Sequence, residues 1–309
     1  MAGGDRETHH QGRLPTKGRG DENFPVASLL ISARLRPHIR AFYDFARAAD
    51  DIADDPDLAP EEKLLRLDGF AKALASGVGH TKGAQGTNGA VDTGPARALA
   101  ISLAETGVSR AHADDLLTAF RDDAVKDRYA DWGQLMAYCR YSAAPCGRFL
   151  LELHGTTGDG ARAASDALSA ALQVINHIQD CASDYKTLDR VYVPLDWMAA
   201  EGADIKDLGG DRLSPGLRRV ADRMLDRVDG LIDQASALPG AVGSFRLGLE
   251  AAVVLALARC LAARLRTQDP LSERVRLRRW DFAVLSLTGA LRGICARLTR
   301  LKDRWPGAH

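Results

Sequence analysis

The stretch that decides the fold is Tyr43-Asp44-Phe45-Ala46-Arg47-Ala48-Ala49-Asp50-Asp51-Ile52-Ala53-Asp54-Asp55. It reads as helix, because alanine is plentiful and neither Gly nor Pro intervenes before Pro56. At about 100° per residue, Tyr43, Arg47, Asp50 and Asp54 fall within roughly 60° of one another. Beside that polar stripe lies an apolar surface of Ile39, Phe42, Ala46, Ala49 and Ala53, continuing round to Phe45 and Ile52. A helix apolar over about half its circumference is expected to be buried. Its carboxylate edge then faces a cavity, where unpaired charge is costly and something positive must answer it.

A second stretch matches the first. In Asn176-His177-Ile178-Gln179-Asp180-Cys181-Ala182-Ser183-Asp184, the residues Asn176, Asp180 and Asp184 share one helical face, and Gln173 adds an amide one turn earlier. Leu168, Leu172, Val174, Ile175 and Ile178 mark this helix as largely buried too. Two helices that offer only oxygen ligands to one cavity suit Mg²⁺, which takes hard oxygen donors and shares them with substrate phosphates. The five expected metal ligands are Asp50, Asp54, Asn176, Asp180 and Asp184.

The two motifs, in this order, resemble the metal-diphosphate motifs of the squalene/phytoene synthase family. The resemblance extends to their flanks: Tyr43 and Arg47 before the first, Gln173 before the second, and Asp189-Arg190-Val191-Tyr192-Val193-Pro194 after it. It runs from about Asn23 to the C-terminal helical patterns. It implies an all-α isoprenoid synthase bundle around a central cavity, with a disordered tail over 1–22 and one domain over 23–309. The form Asn23-Phe24-Pro25-Val26-Ala27-Ser28 is similar to the hydroxysqualene synthases of bacterial hopanoid pathways. Members that join two farnesyl diphosphates carry a Ser-Phe pattern there instead. In the family this segment closes over a diphosphate, so Asn23, Phe24 and Ser28 are expected to bind substrate.

Composition sets the outer bounds. A chain of 309 residues, 46% hydrophobic, can bury a sizeable core. Lys+Arg and Asp+Glu both number 41, so net charge gives no pull towards nucleic acid. Five cysteines, odd in number and without a C-x-x-C pair, read as reduced thiols of a cytoplasmic protein. The polar N-terminus has no apolar signal region, and no later run reaches the roughly 18 apolar residues of a transmembrane helix. Neither zinc-ligand spacing, a calcium-loop pattern nor a Gly-rich phosphate cradle is present.

Along the chain, helices are expected from about Ala33 through the first motif and from Pro60 to Ser76. Further helices are expected over 95–106, 109–127, 132–154, 161–188, 214–237, 243–267 and 275–303. The glycine-rich run 77–94 reads as a flexible insertion. Pro145 and Gly147 predict a kink in the helix over 132–154. The family resemblance makes that helix a wall of the hydrocarbon tunnel, with Tyr141 facing the reacting carbons. Ala144 stands where many relatives carry Asn. No strand alternation appears.

The chemistry expected is loss of diphosphate to give a carbocation held in a dry aromatic cavity, with Tyr43, Tyr138 and Tyr141 as candidate catalytic residues. Arg190 and Arg47 carry fixed charge and a fork that suits diphosphate oxygens, although Arg47 could instead pair with an aspartate. His177 lies about 100° from Asn176 on the wheel and reads as structural. Resemblance supplies the cation's fate: presqualene diphosphate is ionised and water captures the product cation. Two other readings stand beside it. One is a squalene or phytoene synthase that condenses two prenyl diphosphates; the other is a non-catalytic helical partner of such a synthase. A thirty-carbon product implies delivery to a bilayer or to another enzyme of the squalene pathway. Arg274, Arg276, Arg278 and Arg279 are candidates for peripheral contact at the inner face of the membrane.

Overall fold

In the computed structural model, residues 31–76, 92–278 and 281 are described. Helix α1, Arg36–Ala53, carries proline in its first turn and buries Ile39, Phe42, Phe45, Ala49 and Ala53. That is the apolar surface its sequence periodicity predicts. Residues 33–35 form a turn, so the helix starts slightly later than expected. Helix α2, Pro60–Ala75, opens with proline and Glu61 and Glu62 at its positive end. Helix α3, Gly94–Thr106, ends at Gly107 with φ +71°, the left-handed conformation that glycine adopts without steric penalty. Helix α4 spans Ala111–Asp123.

The helix expected over 132–154 is two helices. α5, Trp132–Ser142, is capped by Asp131, whose carboxylate accepts from the Gln134 amide. α6, Ala144–Leu153, begins with Pro145 in its first turn. Proline therefore opens a new helix here, where its missing N–H costs nothing.

Helix α7, Asp159–Leu188, is the longest element described and carries the second motif. It packs against α6 and against α9, Pro215–Ala235. Helix α11, Phe245–Thr267, starts at a Ser244 cap and packs on α9 and α7. Three short elements have no counterpart in the sequence reading: α8 at Leu195–Ala200, a 3₁₀ turn at Ile205–Gly209 and α10 at Leu238–Ala241. They are too short for a 3.6-residue period to register. The last expected helix does not begin at 275, since 274–278 are not helical; Val275 and Leu277 are buried between exposed arginines. Its remainder, the 1–22 tail, the Asn23–Ser28 segment and most of the 77–94 insertion lie outside the described residues.

No strand occurs among the described residues, only an isolated bridge between Arg128 and Val191. The fold is all-α. Among the described residues there are two hydrophobic cores: Phe45, Phe70, Leu99 and Leu117 anchor one among α1–α4, and Ile175, Val220 and Leu257 anchor the other among α5–α11.

Candidate active site

Between the two cores lies a cavity of about 380 Å³, within the range of roughly 300–1,000 Å³ usual for small-molecule sites. Its wall is mostly carbon. Ile39 and Phe42 come from α1, Leu168 and Leu172 from α7, and Leu247 and Val254 from α11. Phe42 and Phe149 stack at 4.1 Å between ring centroids, and both border the cavity. One polar part of the wall is formed by both motif-bearing helices: Tyr43 of α1, with Gln173 and Asn176 of α7.

The carboxylates of the first motif sit at the C-terminal end of α1. Arg47 holds Asp50 at 2.8 Å and Asp51 at 3.0 Å, one helical turn away in each case. Burial pushes the Asp50 carboxyl well above its ordinary range, the charge of Asp54 adds to the effect, and Arg47 opposes it. Asp54 is held from the other side of the site. Arg190 donates to the Asp54 carboxylate at 2.5 Å, to the Ala53 carbonyl at 3.0 Å and to the Asp123 carbonyl at 2.8 Å. Lys63 donates to the same Ala53 carbonyl at 2.9 Å. Two cations thus meet the negative end of α1, where the helix dipole favours them. Burial, then the charge of Arg190, lowers the Lys63 ammonium.

Arg190 joins the two motifs. Helix α7 ends at Asp189 in the left-handed conformation, φ 50°, and this turn lets the Arg190 amide donate to the Asp184 carbonyl at 3.1 Å. Arg128 clamps the turn through the Asp189 carbonyl and, at 2.6 Å, its carboxylate. Burial opposes charge on Arg190, but Tyr192, Asp54 and Asp123 outweigh it and keep the guanidinium firmly protonated. Asp180 and Asp184 are half-buried beside Cys181, whose thiol is pushed up to about 12 by burial first and Asp184 second.

Behind Arg190 stands a group that the sequence reading missed. Asp123 is 7% exposed, and its carboxylate accepts from the Tyr138 hydroxyl at 2.8 Å and the Tyr192 hydroxyl at 3.1 Å. Burial raises its pKa to about 6, while Arg190 and the two hydroxyls pull it down. His177 stacks on Tyr192 at 3.7 Å and bonds to Gln173 at 3.2 Å, which extends the network to the cavity wall. The signal was present in sequence: Leu116, Ala119, Phe120 and Asp123 share one apolar helical face, and a carboxylate in such a stripe needs partners.

Among the described residues, no three His, Cys, Asp or Glu side chains form a metal cluster. The donors at the two helix ends are all oxygen. Burial first and the neighbouring carboxylates second raise Asp50, and a divalent cation would relieve the second cause, so the residues fit a cation shared between protein and phosphate ligands.

The squalene/phytoene synthase family matches residues 17–281 of this sequence. The chain belongs to the squalene/phytoene synthase family. It is 45% identical over 270 residues to the hydroxysqualene synthase of Rhodopseudomonas palustris, spanning 87% of this chain and 88% of that protein. With the hydroxysqualene synthase of Sinorhizobium fredii it shares 43% identity over 257 residues, 83% of this chain and 84% of that one. Among solved structures it is similar to the squalene synthase HpnC from Alicyclobacillus acidocaldarius, with a TM-score of 0.68 and 32% identity. That comparison covers 80% of this chain and 89% of the other.

In this member of the family, Tyr43, Gln173 and Asn176 reach the cavity wall. Arg47 and Arg190 hold aspartates. Tyr138 is enclosed against Asp123, and Tyr141 is half-buried against the second core, with the Arg140 guanidinium 5.8 Å from its ring centroid. Neither of these two tyrosines borders the cavity. Asn23, Phe24 and Ser28 lie outside the described residues.

Proposed function

We propose that this protein is a magnesium-dependent hydroxysqualene synthase that converts presqualene diphosphate and water to hydroxysqualene and diphosphate. The observation that carries the reading is the cavity itself. It is a carbon-walled space long enough to follow α7 from Asn176 back to Ser165, about 16 Å of helix, with Tyr43, Gln173 and Asn176 of the two motif-bearing helices on its wall. The hydroxysqualene synthases named above, 43–45% identical over most of their length, support the same assignment.

The chain's own residues supply most of the chemistry. As the carbon–oxygen bond breaks, negative charge gathers on the leaving diphosphate. Arg47 and Arg190, already fixed by Asp50, Asp51 and Asp54, present preorganised positive charge to it. Asp50, Asp54, Asn176, Asp180 and Asp184 would hold Mg²⁺, which when bound neutralises diphosphate charge and so eases its departure. The stacked Phe42 and Phe149 offer aromatic faces to the cation, and the apolar wall excludes stray water.

Product release fits a lipid surface. Arg274, Arg276 and Arg278 project as exposed residues while Val275 and Leu277 anchor the strip inward, and each such arginine near an anionic bilayer contributes about 1 kcal/mol. No described helix is long and apolar enough to cross a membrane.

Purified protein incubated with Mg²⁺ and presqualene diphosphate should yield hydroxysqualene, whereas farnesyl diphosphate alone should be turned over poorly. Efficient conversion of farnesyl diphosphate alone would overturn the assignment. Replacing the three arginines by Gln should weaken flotation with anionic vesicles; unchanged flotation would remove the lipid contact from the account.

A further inference from the structure

We propose that Glu250 is a catalytic residue that takes the proton from the water capturing the cation, an inference that rests on the hydroxysqualene reading above. Helix α11 turns Leu247, Glu250, Ala251 and Val254 to the cavity at i, i+3, i+4 and i+7. That spacing marks an apolar face, and three of its four positions are apolar. The fourth is a carboxylate only 7% exposed, set on the cavity wall among apolar neighbours. Among the described residues bordering the cavity, Glu250 is the only one with an ionisable acid or base in the carboxylate, amine or imidazole classes. Serine hydroxyls border the same space at Ser142, Ser165 and Ser169, and the enclosed Ser142 Oγ has no hydrogen-bond partner among the described residues.

Hydration needs such a group. A lone pair on water forms the new carbon–oxygen bond, and the oxygen then carries the positive charge. One O–H bond must break, leaving its electron pair on oxygen as the alcohol. The proton passes to a Glu250 carboxylate oxygen and from there to solvent, with no change in oxidation state. A serine hydroxyl can hold the water but is far too weak a base to take its proton at neutral pH. If no carboxylate receives that proton, the cation instead loses one from a neighbouring carbon and gives an unhydrated polyene. In an apolar cavity the Glu250 charge also attracts the cation more strongly than it would in water.

The test measures partition as well as rate. Wild-type protein, Glu250→Gln and Glu250→Asp are supplied with presqualene diphosphate and Mg²⁺, and both released diphosphate and the ratio of hydroxysqualene to unhydrated hydrocarbon are measured. Glu250→Gln should lower that ratio by at least about tenfold, with diphosphate release per folded enzyme changed only a few-fold. An unchanged ratio overturns the proposal. So does loss of diphosphate release in a variant with a wild-type unfolding midpoint, since Glu250 would then serve ionisation. If Glu250→Gln does not fold, Glu250→Asp, whose carboxylate is withdrawn by one methylene, must lower the ratio, and an unchanged ratio again overturns it. Wild-type protein that forms no hydroxysqualene overturns the functional reading, and this proposal falls with it.

Discussion

Arg190 and Asp54 meet at 2.5 Å, and this contact ties the end of the first acidic helix to the turn that follows the second. Arg190 is 6% exposed and also serves the carbonyls of Ala53 and Asp123. One guanidinium therefore locks three chain segments, and its planar fork matters as much as its charge.

Arg190→Lys should fold but lose activity, because an ammonium cannot reach one carboxylate and two carbonyls in that geometry. Arg190→Ala leaves all three acceptors without their donor and should cost about 2–4 kcal/mol of stability in urea unfolding. Asp54→Ala removes only one acceptor, on a more exposed side chain, and should cost clearly less. Equal losses for the two alanine variants would contradict the locking role.

Loss of the acidic residues should show first in activity. Asp50→Ala, Asp54→Ala, Asn176→Ala, Asp180→Ala and Asp184→Ala should each lower magnesium-dependent diphosphate release by roughly 10²-fold or more. Burial and Asp54 disfavour the ionised Asp50 carboxyl, so Asp50→Asn should stabilise the metal-free protein by about 1 kcal/mol. Calorimetry in the presence of a chelator reads this directly. A lower midpoint for Asp50→Asn would show that the Arg47 pairing outweighs the crowding.

Asp123 predicts a pH dependence. Its folded pKa, about 6, lies above the ordinary 3.8, so the folded state binds the proton more tightly than the unfolded chain. The stability this provides is fully present below 3.8 and is lost as pH rises through about 6. Asp123→Asn cannot titrate. The difference in unfolding free energy between wild type and Asp123→Asn should therefore slope between these two pH values and flatten above them. A difference that is level across this window would refute the assignment.

Periodicity made the helices legible wherever an apolar stripe ran for several turns, as in α1, α7 and α9. The face shared by Asp50 and Asp54 followed from spacing alone. The Arg190–Asp54 partnership, Asp123 and the Phe42–Phe149 stack were not legible. Each depends on segments distant in sequence that tertiary packing brings together, and no local pattern encodes such a meeting. Pro145 signalled a break, but sequence could not tell a kink from a fresh helix start, because both require only the missing N–H.

The α6–α7 contact offers a last test, centred on Gly147. A Cβ built there would lie 2.3 Å from Ser165 Oγ and 2.8 Å from Ser169 Oγ, closer than any real contact allows. Glycine is needed here for close approach, since its own backbone carries no left-handed turn. All three residues border the cavity, so separating α6 from α7 would widen the space that holds the hydrocarbon. Gly147→Ala should accordingly destabilise the fold by about 1–3 kcal/mol, as overpacked contacts do. The obstructing atoms are hydroxyl oxygens; the Ser165 Cβ is 3.6 Å away, an ordinary distance. Ser165→Ala with Ser169→Ala should therefore recover most of the stability lost by Gly147→Ala, giving a coupling energy of opposite sign to the single loss. Additive effects across that cycle would show that the helices move apart regardless, and that the serines do not set their spacing.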